Sequence, residues 1–149
     1  MGRAFFLLYA VAVGALRAWA ALGGSAESVA ADQVKFQAIR KTTELPKYTI
    51  HEISRVDGGL IREYVTRAGN VFGVSWSGPT LPDLAQLLGS YREEFRNTLR
   101  AQSKSVGRRP AAVHNADLVV ETGGHMRAFQ GRAYLNSMLP SGVSPETVK

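Results

Sequence analysis

The chain contains no cysteine in 149 residues. Disulfides, thiolate metal sites and cysteine nucleophiles are thereby excluded, so packing alone must hold the fold. Proline is scarce, at 6 residues, and no Pro- or Ser-rich linker divides the chain. One domain is expected. Long apolar runs are lacking as well. The longest, Ala4 to Leu16 (AFFLLYAVAVGAL), would rise only about 20 Å as a helix, against a hydrocarbon core of about 30 Å. With Arg3 ahead of it and Ala18-Trp19-Ala20 behind, it reads as an export signal over residues 1–20, cut after Ala20. The protein is expected in the periplasm or secreted, the alternative being a retained N-terminal membrane anchor. No cysteine follows the run, which excludes lipid attachment at a processed terminus.

Acidic residues are the minority, 12 against 18 basic, and the excess is local. Without Arg3 and Arg17 the mature chain, Ala21 to Lys149, carries +4. Arg92 to Arg109 alone also carries +4, from Arg92, Arg96, Arg100, Lys104, Arg108 and Arg109 against Glu93 and Glu94. Arg92, Arg96, Arg100 and Lys104 recur every four residues and form one basic line on a helix. Its functional reading is contact with an acidic envelope component or acidic protein. Nucleic acid is not expected, since no aromatic platform interleaves with the line.

Three runs rich in β-branched and aromatic residues, Tyr48–Arg55, Leu60–Thr66 and Val71–Trp76, are separated by short glycine-containing connections. They predict an antiparallel meander. Phe72, Val74 and Trp76 share one face of the third strand, which should line the core. Like-charge avoidance favours a three-residue first loop, Asp57 to Gly59, with Gly59 left-handed. Thr42 to Pro46 reads as a loop. Residues 25–40 fit either a helix or a helix followed by a strand.

After Gly78-Pro79, Thr80 and Asp83 resemble a capping box with Pro82 in the first turn. Leu84, Leu87, Leu88, Tyr91, Phe95 and Leu99 then form the apolar stripe of one long helix, ending between Leu99 and Lys104. Gln86 falls outside the stripe and is expected to be inert. Gly89 and Ala85, one turn apart, predict a groove that another backbone can approach closely. Ala112 to Leu135 reads as a second hairpin turning at Gly123-Gly124, with Leu118 facing Phe129 and Val113 facing Tyr134. Pro140 to Lys149 has few apolar residues and is expected to fray. The expected architecture is a single α+β domain over residues 21–149. An antiparallel sheet of about five strands (the meander plus the C-terminal hairpin) carries one long amphipathic helix packed on it.

No catalytic or cofactor motif is complete. His51, His114 and His125, with Asp117 or Glu121, match no zinc spacing. Gly73-Val74-Ser75-Trp76-Ser77 fails the serine-hydrolase elbow because Ser77 stands at the final glycine position, and Ser75 lies within a strand. No metal and no cofactor are expected. Arg62-Glu63-Tyr64 and Arg127 to Arg132 place charges on strands, where they face water or pair across strands; Arg127 and Arg132 alternatively line a concave sheet face for an anionic ligand.

The segments Leu22-Gly23-Gly24-Ser25, Tyr48-Thr49-Ile50-His51-Glu52, Arg62-Glu63-Tyr64-Val65, Val71–Tyr91, Asp117–Leu135 and Leu139-Pro140-Ser141-Gly142-Val143 follow one another in order. This string resembles an uncharacterised family of exported proteins from Gram-negative bacteria, known only as a domain of unknown function. The resemblance implies a periplasmic or secreted protein and brings no activity, cofactor or catalytic residue. A non-catalytic binding or structural module of the cell envelope is the leading expectation. A small periplasmic hydrolase using Ser75 or a histidine–carboxylate group is the competing one.

Overall fold

The computed structural model describes residues 21–25, 39–102 and 112–149. The export signal, the assignment of 26–38 and the basic residues Lys104, Arg108 and Arg109 lie outside the described residues. Elements run in the order β1 (Ile39–Glu44), β2 (Tyr48–Ser54), β3 (Leu60–Thr66), β4 (Val71–Gly78), α1 (Leu84–Leu88), a 3₁₀ turn (Gly89–Tyr91) and α2 (Arg92–Gln102). β5 (Ala112–His114), β6 (Leu118–His125) and β7 (Ala128–Leu135) follow, then 3₁₀ turns at Asn136–Met138 and Pro145–Thr147. The fold is α+β. The strands form one antiparallel sheet in the order β1-β2-β3-β4-β7-β6-β5.

Seven strands replace the expected five. The first addition is β1, where a loop was expected. Thr42 and Thr43 are polar but β-branched and suit an exposed edge, and Pro46 sits in the following turn, where Leu45 N–H bonds the Tyr48 carbonyl at 2.9 Å. The second is β5, paired with β6 so that Val113 opposes Val120 instead of Tyr134. The last hairpin also turns later than expected. β6 continues through Gly123 and Gly124, Leu118 faces Leu135, and the turn falls at Met126 and Arg127, the latter at φ 65°. Gly124 marks close backbone approach instead: a β-carbon there would lie 2.1 Å from the Ala128 carbonyl oxygen.

The first hairpin has a three-residue loop, but one residue earlier than expected. Gly58 N–H bonds the Arg55 carbonyl, Arg55 pairs with Gly59, and Gly58, not Gly59, is left-handed at φ 83°. This register sets Glu52 directly opposite Arg62, joining opposite charges.

The helical stretch Leu84–Gln102 spans 19 residues. Asp83 alone caps it, its Oδ1 accepting from the amides of Ala85 (2.9 Å) and Gln86 (3.3 Å). Thr80 is instead drawn away to Asp57, which also pairs with Arg55. Gly89, at φ 52° and ψ −120°, interrupts the stretch. Into that break docks the segment 21–25: Leu22 N–H bonds the Leu87 carbonyl at 3.0 Å, and Gly23 and Gly24 bond Val71. Leu22 is buried. Leu87, Leu88 and Phe95 close the main core with Ile53, Ile61, Val74, Trp76, Val120 and Ala133 on one face of the sheet. Gln86, expected to be inert, is also buried.

Strand β4 departs from strict alternation. Tyr64 pairs with Gly73 but Val65 pairs with Val71, leaving Phe72 as the extra residue of a bulge. Val71 therefore joins the helix-side core, whereas Phe72 turns to the opposite face with Tyr64, Val119, Tyr134 and Val148. The C-terminal residues cover that second face and do not fray. Val148 is fully buried, and Tyr64 and Ser75 both donate hydroxyl hydrogen bonds to the Lys149 carbonyl oxygen.

Candidate functional site

Arg92, Arg96 and Arg100 are exposed along α2, while Phe95 between them is buried and Leu99 packs on the core. Arg96 pairs with Glu93 at 3.4 Å; Arg92 and Arg100 make no ion pair among the described residues. The basic line is thus presented outward by its own helix periodicity, with the apolar stripe holding the helix in orientation.

The second sheet face carries a different arrangement. Strand register puts Lys41, Glu52, Arg62, Ser75, Arg132, Glu121 and Ala112 in one row across all seven strands. Direct cross-strand neighbours share a face, so charge alternates along the row around a central hydroxyl. Arg62 Nε donates to Glu52 at 2.8 Å, and Arg132 Nε donates to Glu121 at 2.7 Å. The Glu121 carboxylate beside it, more than any other neighbour, holds the Arg132 guanidinium above its ordinary pKa. Arg132 also lies 5.7 Å over the Tyr134 ring.

The tail crosses this row. Three donors meet at the Lys149 carbonyl oxygen: Tyr64 Oη (2.8 Å), Arg62 Nη1 (3.1 Å) and Ser75 Oγ (3.1 Å). Arg132 Nη1 reaches the Val148 carbonyl at 3.4 Å and Glu146 at 3.5 Å. Beside the tail an open trough of about 480 Å³ is bordered by Arg62, Ser75, Ser77, Glu121, Gln130 and Arg132, so its lining carries both signs of charge.

The candidate catalytic groups are not gathered there. Ser75 lies within β4 between two arginines, and the Lys149 carbonyl is its hydrogen-bond partner. His114, on the short edge strand β5, is exposed and pairs with Glu121 at 3.3 Å. His125 is exposed at the far end of β6, 3.3 Å from the Met126 carbonyl. Asp117 anchors the turn after β7 through the amide and hydroxyl of Ser137. His51 belongs to the opposite, helix-side face. Arg40 Nη2 lies 2.7 Å and Thr42 Oγ1 3.0 Å from its Nδ1, and it stands directly opposite the fully buried Glu63. Burial, reinforced by the Arg40 cation, pushes its pKa below the ordinary 6.5. No group of three or more metal-ligating side chains gathers among the described residues.

Sequence reasoning offered Arg127 and Arg132, as the alternative to ordinary strand charges, for a concave sheet face; Arg132 borders the trough. Its companion Arg127 instead occupies the hairpin tip. Arg62 was read as an ordinary strand charge. Its convergence with Arg132 was concealed because β3 and β7 are brought to either side of β4 only by the closing pairing β4–β7.

A family model described as Protein of unknown function (DUF2844) matches residues 18–148. The chain belongs to this family. Neither a curated protein nor a solved structure matches it.

Proposed function

We propose that this protein is an exported, non-catalytic binding module of the bacterial cell envelope. It contacts an anionic partner, an acidic envelope component or acidic protein, through Arg92, Arg96 and Arg100, continued in sequence by Lys104, Arg108 and Arg109. The observation that carries the reading is the exposure of the three arginines on the outer side of α2, two of them without an ion pair among the described residues. With the rest of the mature chain neutral in sum, their potential is not cancelled elsewhere. Export rests on the Ala18-Trp19-Ala20 pattern behind the apolar run. The docking of 21–25 is compatible with it, since a chain cut after Ala20 keeps every one of those contacts.

Two measurements test the proposal. Mass spectrometry of protein from the producing cell should find a terminus at Ala21; an intact Met1 or Gly2 in the membrane fraction would make this an anchored protein. Binding to anionic vesicles should exceed binding to neutral ones and weaken steeply with salt, as the Debye length falls from ~30 Å at 0.01 M to ~8 Å at 0.15 M. An Arg96→Glu/Arg100→Glu double variant should lose it. Unchanged binding by that variant to both vesicles and envelope extract would leave the line as a solvated face.

A further inference from the structure

The sheet is open, and β1 is the longer of its two edges, 6 residues against 3 in β5. Leu45 N–H bonds the Tyr48 carbonyl at the β1–β2 turn, so the odd-numbered residues of β1 direct their backbone groups at β2. Arg40, Thr42 and Glu44 therefore aim N–H and C=O outward, where no strand pairs with them among the described residues. The pairing of β1 with β2 has no bulge, and Pro46, which would interrupt a further ladder, lies just past the strand. Lys41, Thr42, Thr43 and Glu44 are exposed. Such an edge is a template for one more strand.

We propose that this edge pairs with the same edge of a second copy of the chain, the two β1 strands running antiparallel about Thr42. The charges select this partner and this register. Arg40 then stands opposite Glu44 of the second copy, Glu44 opposite its Arg40, and Thr42 opposite its Thr42, with each pair exchanging two backbone hydrogen bonds. Opposite charges and paired threonines directly across a ladder are stabilising. Centring the pairing on Lys41 instead sets two lysines face to face. Centring it on Thr43 sets Pro46, which has no N–H, opposite Arg40. Neither Arg40 nor Glu44 makes an ion pair among the described residues, so each is open to a partner charge. Arg40 and Thr42 stand opposite Ile53 and His51, on the helix side of the sheet. Cross-strand neighbours share a face, so the pairing puts both helical layers, and both basic lines, on one side of the joined sheet. Edge pairing alone buries far less than the roughly 1,600 Å² of a standard interface, so the dimer is weak and forms as concentration rises.

Sedimentation velocity of the purified protein from about 10 µM to 1 mM should show a monomer–dimer equilibrium. Glu44→Lys sets like charges opposite each other at both ends of the pairing and should weaken the dimer roughly tenfold or more. Arg40→Glu should do the same, and an equimolar mixture of the two variants should restore dimers, because every charged pair in the mixed dimer is again of opposite sign. Cross-linking fixes the register, and the chain has no native cysteine to interfere. Hydrogen-bonded antiparallel neighbours have α-carbons about 5.5 Å apart, inside the disulfide range of roughly 4.4–6.8 Å. Thr42→Cys should therefore oxidise to a covalent dimer. Glu44→Cys, displaced from its own copy by four residues or roughly 13 Å along the strand, should not. Because Arg40 also contacts His51, Thr42→Cys and Glu44→Lys decide the case if Arg40→Glu fails to fold. Arg96→Glu/Arg100→Glu should dimerise as wild type does, which separates this edge from the basic line. The proposal is overturned if the protein stays monomeric at about 1 mM, if Glu44→Lys dimerises unchanged, or if the mixture of two folded variants stays monomeric. Cross-linking of Lys41→Cys in preference to Thr42→Cys also overturns it, as does assembly beyond the dimer, since a two-fold pairing closes.

Discussion

A β-carbon on Gly89 would lie 2.3 Å from the β-carbon of Ala21, so the segment 21–25 is seated where the helical stretch has no side chain. The same glycine holds φ 52°, which other residues enter at a cost. Gly89→Ala is therefore expected to destabilise by about 1–3 kcal/mol through strain and overpacking together. Urea unfolding against a Ser90→Ala control measures it. An equal and small effect from both would place the docked segment elsewhere.

Leu88 is fully buried among the sheet residues. Leu88→Ala should cost about 2–5 kcal/mol. Gln86, which sequence periodicity set aside as inert, is 2 % exposed, so Gln86→Ala should also cost stability, on the order of 1 kcal/mol or more. Thermal unfolding of the two variants beside Asn97→Ala, on the exposed side of α2, separates the three effects.

The cover on the second face depends on Val148, whose Cγ2 would lie 2.8 Å from a β-carbon added at Gly73. Val148→Ala should destabilise by about 1–3 kcal/mol. Its distinguishing signature is hydrogen exchange: protection should fall at the Lys149 amide, which bonds Tyr64 Oη at 3.1 Å, before it falls in β3.

His51 gives the fold a pH dependence of defined sign. Its folded pKa lies below the ordinary 6.5, so the unfolded chain takes up a proton first as pH falls. The stability linked to neutral His51 is complete above pH 6.5, declines below it, and levels off beneath the folded pKa. Arg40 and Thr42 both face its Nδ1, and Glu63 stands opposite. Melting temperatures of wild type and His51→Gln at pH 7.5 and 5.5 should show a smaller acid loss in the variant. An identical loss would assign it to other groups.

Strands β2, β3 and β4 were legible within about two residues, because each buries one or both faces and is rich in β-branched and aromatic residues. The apolar stripe from Leu84 to Leu99 was legible for the same reason at helical spacing. Edge strands were not. β1 has one neighbour and an exposed surface, so its residues are under weak constraint and read as a loop. Phe72 was assigned to the wrong face because alternation carries no sign of a bulge. Only the pairing of Val65 with Val71 reveals it.

By itself the sequence determined the class of the fold, the absence of disulfide and thiolate chemistry, the outward basic line and the small-residue groove at Gly89. These follow from composition and from the period at which apolar and charged residues recur, both local properties of the chain. Tertiary structure alone decided what fills that groove, where the tail lies, and that Arg62 and Arg132 share a trough. Each of these joins residues tens of positions apart, and strand register, set by burial on two faces at once, is what brings them together.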